Sequence, residues 1–277
     1  MRQIKALYKL SRPLTSLSGA LAVLLGGYVA GTGEWGRILL ACLATLFIAS
    51  SANAWNDYLD VEIDRVNQPQ RPLPAGLVSL EQAKRFSFAF TALSLIIASF
   101  INLPAFLIVV VSNTLLYLYS WKLKSTVLMG NATVAAISAM SAIYGGVAAG
   151  NVLPTLWLAV IIATAIMGRE VLKTLADYEG DLRQRCRTVA TVWGKRPARV
   201  VFYLLVGATI IVMLLPYLLN VYRPVYAYVV AVGVFPVIAY IMMRVSRYRT
   251  GPQLERLSQL MKYDFLVWFL AVVLGAA

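Results

Sequence analysis

The chain has 277 residues, 60% of them hydrophobic and 13% charged, with a formal net charge of +13, two cysteines and no histidine. Soluble domains carry about 25% charged residues; with a mean hydropathy of +0.73, this composition excludes a soluble globular protein and indicates an integral membrane protein. The missing histidine also excludes Ser-His-Asp and Cys-His catalysis and imidazole-type metal sites.

A spanning helix needs about 20 mainly apolar residues. Nine such stretches are predicted in chain order, at about 14–31, 38–56, 86–103, 104–121, 126–149, 153–176, 200–219, 224–243 and 260–277, with the tightest turn near Leu103-Pro104. The fold class is therefore an all-α membrane protein, and residues 1–277 read as a single transmembrane domain because nothing remains for a soluble one. The basic leader MRQIKALYKLSRP is expected to be retained, since the apolar stretch after it is long and eight more spans follow. Cys42 falls in mid-membrane and Cys186 in a basic loop, so neither suggests a disulfide or a reactive thiol.

Of the 25 Lys and Arg, all but Arg37 and Arg223 lie before span one or in and beside the segments after even-numbered spans. The positive-inside rule then predicts a multi-pass protein of the cell membrane, with its N-terminus and basic face cytoplasmic and its C-terminus outside. The acidic residues follow the same side, Glu34 excepted. Attraction to anionic lipid head groups, about 1 kcal/mol per basic residue, accounts for the Lys and Arg. It does not account for clustered aspartates.

Two acidic clusters stand out. In NAWNDYLDVEID, Asn56, Asp60 and Asp64 step by four, and at 100° per residue they share one helix face with Asp57 and Asn53. In GREVLKTLADYEGD, Arg169, Lys173, Asp177 and Asp181 step by four in the same way, with Glu170 inside the arc. Asp60 to Asp177 and Asp64 to Asp181 are both separated by 117 residues, and each cluster follows the second span of a four-span set. This is the mark of an internal duplication: two pseudo-repeated four-helix sets plus a last helix, arranged around a central cavity where helical bundles build their sites.

Facing carboxylates need counter-charge, because two of them about 5 Å apart repel by roughly 3 kcal/mol at an effective dielectric of 20. All-oxygen ligation by Asp and Asn suits Mg²⁺, which takes one or two carboxylates plus substrate phosphates. Bases beside the clusters, among them Arg65, Arg71, Lys122, Lys124, Arg169 and Lys173, fit an anion, and acid interleaved with base fits a metal-bridged diphosphate.

NDYLDVEID reads as NDxxDxxxD, is followed by RPLPAG, and DYEGD reads as a second DxxxD; in these motifs the chain resembles the UbiA superfamily of intramembrane prenyltransferases over essentially its whole length. Within it, GREVLKTLADYEGDLRQRCRTVATVWG is most similar to the archaeal digeranylgeranylglyceryl phosphate synthases. Thr174 stands where that pattern has an aspartate, and RTVAT replaces RTLP.

The resemblance implies a Mg²⁺-dependent transfer of a prenyl group from its diphosphate to an anionic, lipid-soluble acceptor. Asn56, Asp57, Asp60 and Asp64 would hold one metal and Asp177 and Asp181 another; Arg71, Lys122 and Lys173 would bind the donor diphosphate. Loss of diphosphate would leave an allylic cation, sheltered from water and faced by aromatic rings, with Tyr117, Tyr119, Trp121 and Tyr144 as candidates. The acceptor implied is geranylgeranylglyceryl phosphate, its phosphate met by Arg12 and Lys124; an aromatic acceptor such as 4-hydroxybenzoate is the alternative. A cation-coupled transporter is an alternative of another class, although transporters place their sites near the midplane on interrupted helices. Membrane lipids are expected partners, and nothing calls for nucleic acid or an obligate protein partner.

Overall fold

The computed structural model describes residues 2–248 and 250–276, whose regular elements are all helices, with no strand among them. In chain order the helices are α1 (Arg2–Leu10), α2 (Pro13–Ala30), α3 (Trp35–Leu59), α4 (Val61–Asn67), α5 (Leu80–Ser99), α6 (Leu103–Trp121), α7 (Met129–Ala149), α8 (Thr155–Ala176), α9 (Tyr178–Arg183), α10 (Val189–Trp193), α11 (Lys195–Leu218), α12 (Pro224–Val229), α13 (Phe235–Val245) and α14 (Gly251–Ala276).

Among the described residues, seven helices are long and apolar enough to cross a membrane: α3, α6, α7, α8, α11, the continuous 224–245 and α14. An eighth appears if α1 and α2, bent by 53° at their junction, are taken together. The chain is a multi-pass membrane protein. The expected spans at 14–31 and 86–103 coincide with α2 and α5, which do not stand with the seven. α2 counts only together with α1, and α5 opens on Glu81, Lys84 and Arg85.

Capping chemistry explains where several helices begin. Ser79 starts α5 six residues ahead of the apolar run through a capping box, its hydroxyl accepting from Gln82 N at 3.1 Å while Gln82 Oε1 accepts from Ser79 N at 2.9 Å. Asn102 caps α6 by accepting from Ala105 N at 2.8 Å, with Pro104 in the first turn, where its missing N–H costs nothing. Pro236 cannot donate and its ring crowds the carbonyl four residues back; the chain answers with a π-helical turn at 230–234 between α12 and α13.

The chain divides into two compact units, residues 1–123 with 140–155, and 124–139 with 156–277. In the first, α3 packs against α2, α5 and α6. Small residues bring α2 close to α7: a Cβ added to Gly26 would lie 2.0 Å from the Ala142 carbonyl oxygen, and one on Gly145 2.0 Å from that of Val23. Uncharged hydroxyls tie α3, α5 and α6 together, with the Tyr117 hydroxyl 2.7 Å from Ser87, 3.1 Å from Thr91 and 3.2 Å from Ser51.

In the second unit, α14 packs against α12, the π turn and α13. The buried Trp268 donates its indole N–H to the Tyr226 hydroxyl at 3.2 Å, which donates to the Met213 carbonyl at 2.8 Å. These two buried polar groups find partners inside the bundle, as a lipid-embedded fold favours.

Candidate active site

The first acidic cluster lies at a break in a helix. α3 ends at Leu59, Asp60 takes φ −95° and ψ 7°, and α4 begins at Val61. The break keeps the helical register, because Asp60 N donates to the Asn56 carbonyl at 3.0 Å and Asp64 N to the Asp60 carbonyl at 2.8 Å. Asn56 and Asp60 form one pair, the amide donating to the carboxylate at 3.0 Å. Asp57 and Asp64 form another. Residues seven apart on a helix are only about 20° out of line, and a single Arg71 nitrogen lies 3.6 Å from Asp57 and 2.5 Å from Asp64.

Both carboxylates of that second pair are buried, and Arg12 also forms an ion pair with Asp57, which is only 2% exposed. Local structure delivers each arginine. Arg71 opens the RPLPAG segment, which curls tightly: Ala75 N donates to the Arg71 carbonyl at 3.0 Å and Leu77 N to that of Pro72 at 2.9 Å. Gly76 completes the turn at φ 68°, a conformation that suits glycine. Arg12 precedes α2 in the left-handed region at φ 48°, where a non-glycine residue costs on the order of 1–3 kcal/mol. Its ion pair with Asp57 lies at this strained hinge.

The second cluster repeats the backbone. α8 ends at Ala176, Asp177 takes φ −86° and ψ 3°, and α9 begins at Tyr178. Asp177 N donates to the Lys173 carbonyl at 2.8 Å and Asp181 N to the Asp177 carbonyl at 2.9 Å. The charges are arranged differently. The bases are held two turns back by buried Glu170, which accepts from Lys173 Nζ at 3.2 Å and from Arg169 at 3.3 Å. Neither Asp177 nor Asp181 forms an ion pair among the described residues.

Burial raises the Asp177 carboxyl above the ordinary carboxylate range, with Lys173 pulling it partly back. Burial, reinforced by the charge of Asp177, pushes Asp181 up to about 6 against a hydrogen bond from Thr188. Carboxylates held this way favour a cation that can neutralise them.

The remaining predicted residues lie as follows. Lys122 caps α6, exposed, with Nζ 4.6 Å from the centre of the Trp121 ring. Lys124 sits in the short 3₁₀ turn 123–125 and belongs to the second unit. Tyr117 belongs to the hydroxyl cluster, its ring centre 4.9 Å from that of Trp55 and 6.2 Å from that of Phe88. Tyr144 is buried with its hydroxyl unpartnered among the described residues. Arg12, expected at an acceptor phosphate, is found on Asp57. The role of Glu170 escaped sequence reasoning although its signal, a Glu three residues before a Lys on one helix, was present.

Among the described residues no three carboxylates or other Asp, Glu or Cys ligands form a metal-holding group. Mg²⁺ does not require one, since it takes one or two protein carboxylates and fills its shell with water and phosphate. The oxygen-only donor set of Asn56 with Asp60, and of Asp177 with Asp181, fits that ion.

The chain is 33% identical over 216 residues to the digeranylgeranylglyceryl phosphate synthase of Thermococcus kodakarensis, covering 77% of this chain and 78% of that one. It superposes with a TM-score of 0.83 and 29% identity on a solved structure described as digeranylgeranylglyceryl phosphate synthase in membranes, over 100% of this chain and 99% of that one. A UbiA homolog from Archaeoglobus fulgidus bound to GPP and Mg²⁺ shares the fold with a TM-score of 0.72 at 21% identity, over 96% of this chain and 99% of that one. The model of the UbiA prenyltransferase family matches residues 17–272, and the chain belongs to that family.

Proposed function

We propose that this chain is a Mg²⁺-dependent enzyme that transfers a geranylgeranyl group from geranylgeranyl diphosphate to the free hydroxyl of geranylgeranylglyceryl phosphate, in ether-lipid synthesis. The observation that carries the reading is the paired backbone break. Asp60 and Asp177 interrupt their helices with nearly the same dihedrals, φ −95°, ψ 7° and φ −86°, ψ 3°, and each starts a D-x-x-x-D turn. Relatives named digeranylgeranylglyceryl phosphate synthase support the acceptor, and a fold relative bound to GPP and Mg²⁺ supports the donor and the ion.

On this reading the nine predicted helices form two pseudo-repeated four-helix sets and a last helix around one cavity, and residues 1–277 act as a single domain. On the same reading the enzyme lies in the cell membrane with its N-terminus and active site on the cytoplasmic side. Asn56 and Asp60 would supply ligands to one Mg²⁺ and Asp177 and Asp181 to a second, whereas Asp57 and Asp64 hold Arg12 and Arg71 beside the first. The bound ions supply Lewis-acid stabilisation of the charge that grows on the leaving diphosphate.

The chain's own groups do the rest. Arg71, freed from Asp64 when the diphosphate arrives, offers its planar fork to phosphate oxygens, joined by Lys122 and Lys173 as point charges. Lys124, with Arg12, meets the acceptor phosphate. Trp55, Tyr117 and the helices around them exclude water, which would capture the allylic cation before the acceptor does; their ring faces oppose its positive charge.

The test is direct. Purified full-length protein in lipid nanodiscs, with Mg²⁺ and radiolabelled geranylgeranyl diphosphate, is offered geranylgeranylglyceryl phosphate and 4-hydroxybenzoate in parallel. Label in the ether lipid is the expected result. Label only in the aromatic product would replace the acceptor, and label in neither would remove the proposed activity.

A further inference from the structure

Within the second unit, α8, α11, α13 and α14 line a half-open cavity of ≈ 30 Å³. At about 10–15 Å³ for each water-sized group, it has room for two. The lining is apolar, with Phe202, Met213, Ile238 and Trp268 among its walls, except at Asp264 and Thr209, and no Lys or Arg contributes to it. Asp264 sits midway along α14, is 7% exposed, and its Oδ1 has no hydrogen-bond partner among the described residues. A carboxyl oxygen left in this state inside a membrane bundle is costly, and ionisable groups at that depth mark ligand or ion sites.

The surroundings restrict what could satisfy it. A divalent cation seeks about six oxygens, and only two side chains in the lining carry any. A water molecule needs two to four polar partners. Water could donate to Asp264 and Thr209, but its own oxygen would meet no donor, because the Thr209 hydroxyl already donates to the Leu205 carbonyl at 2.8 Å and the Trp268 N–H to Tyr226, and it would leave the apolar walls without contact. A primary alcohol on an apolar chain fits better. One O–H donates to Asp264, a –CH₂OH group fills two water-sized places, and the first carbons of the chain lie against thioether and aromatic surface.

The geometry points to a second binding site, built on Asp264 and apart from the acidic turns, that takes the hydroxyl end of a long-chain, isoprenoid-type alcohol. It does not depend on the identity of the prenyl acceptor. Full-length protein in nanodiscs is photolabelled with geranylgeraniol carrying a diazirine on its chain, and the adducts are mapped by peptide mass spectrometry.

Adducts are expected on α11 and α14 peptides around Met213 and Asp264. They should fall at least fivefold in Asp264→Leu and at least threefold in Ala165→Phe, which fills the cavity from α8. The saturated hydrocarbon lacking the hydroxyl should compete at least tenfold more weakly than unlabelled geranylgeraniol. Prenyl transfer, measured on the same preparations, should stay unchanged in Asp264→Leu and serves as the control for folding. Equal labelling of active Asp264→Leu and wild type, equal competition by the hydrocarbon, or adducts confined to other helices would overturn the site.

Discussion

The two acidic turns share a backbone and differ in charge. At the first, Arg12 and Arg71 already sit on Asp57 and Asp64. At the second, the bases are held on Glu170 two turns back, and Asp181 is pushed up to about 6 by burial and by Asp177. One motif geometry therefore serves two electrostatic situations. The first turn carries its own counter-charge, and on the proposed function Arg71 is the group that an arriving diphosphate would recruit. The second is left short of positive charge, so its demand for an external cation is greater.

The largest expected effect follows from that difference. Asp181→Asn keeps the side chain's shape and removes its charge, so prenyl transfer should fall about 10³-fold, the scale of losing a group that stabilises transition-state charge. Tight Mn²⁺ binding, followed by electron paramagnetic resonance as a stand-in for Mg²⁺, should be lost with it. Transfer within tenfold of wild type, with metal binding intact, would show that the second turn is not the cation site. Chelation by EDTA should reproduce the loss in the wild type and added Mg²⁺ should reverse it.

The next effect reverses the order of the two turns, because it concerns stability. Asp57→Ala leaves Arg12 and Arg71 facing a buried gap. Breaking a buried pair costs about 3–5 kcal/mol, and the partial exposure of both arginines, 32% and 30%, reduces the expected loss to roughly 2 kcal/mol on the same scale. Asp181→Asn removes a carboxylate with no ion pair, so its unfolding temperature without metal should be unchanged or higher. Thermal unfolding in detergent compares the two, and equal losses would show that the charge contrast has no energetic meaning.

Arg71→Lys comes third. An ammonium lacks the planar fork that takes two phosphate oxygens at once, so the KM for the prenyl diphosphate should rise about tenfold, or about 1.4 kcal/mol, with little change in acceptor KM. A change in acceptor KM alone would move Arg71 to the other substrate.

Much of this was legible in the sequence. Helical content, the membrane setting and both motifs follow from apolar run length and from aspartates at i, i+4, which depend on local periodicity. The partners were harder to foresee. Arg12 reaches Asp57 only because a hinge in the left-handed region turns it, and Arg71 only because RPLPAG curls back. Neither contact has a local sequence spacing to announce it. Helix starts were misplaced where polar residues enter helices: α5 opens on three charges, and α14 starts at Gly251 through the polar run GPQLERLSQ. Composition treats such stretches as loop, whereas caps and buried leucines such as Leu254 and Leu257 make them helix.

The comparison extends up the two helices that carry the turns, and the smallest effect lies there. Ser51 on α3, five residues before Asn56, is bound into the cluster with Ser87, Thr91 and Tyr117. Tyr117→Phe deletes one hydroxyl with contacts to three others. Interhelical hydrogen bonds in membranes average about 0.6 kcal/mol, so the loss should be about 1 kcal/mol, with kcat/KM falling less than threefold. Mn²⁺ affinity at the second turn should not move, since Tyr117 lies in the first unit. A larger fall in transfer at unchanged stability would mean that the hydroxyl meets substrate and does not merely hold α3 in place.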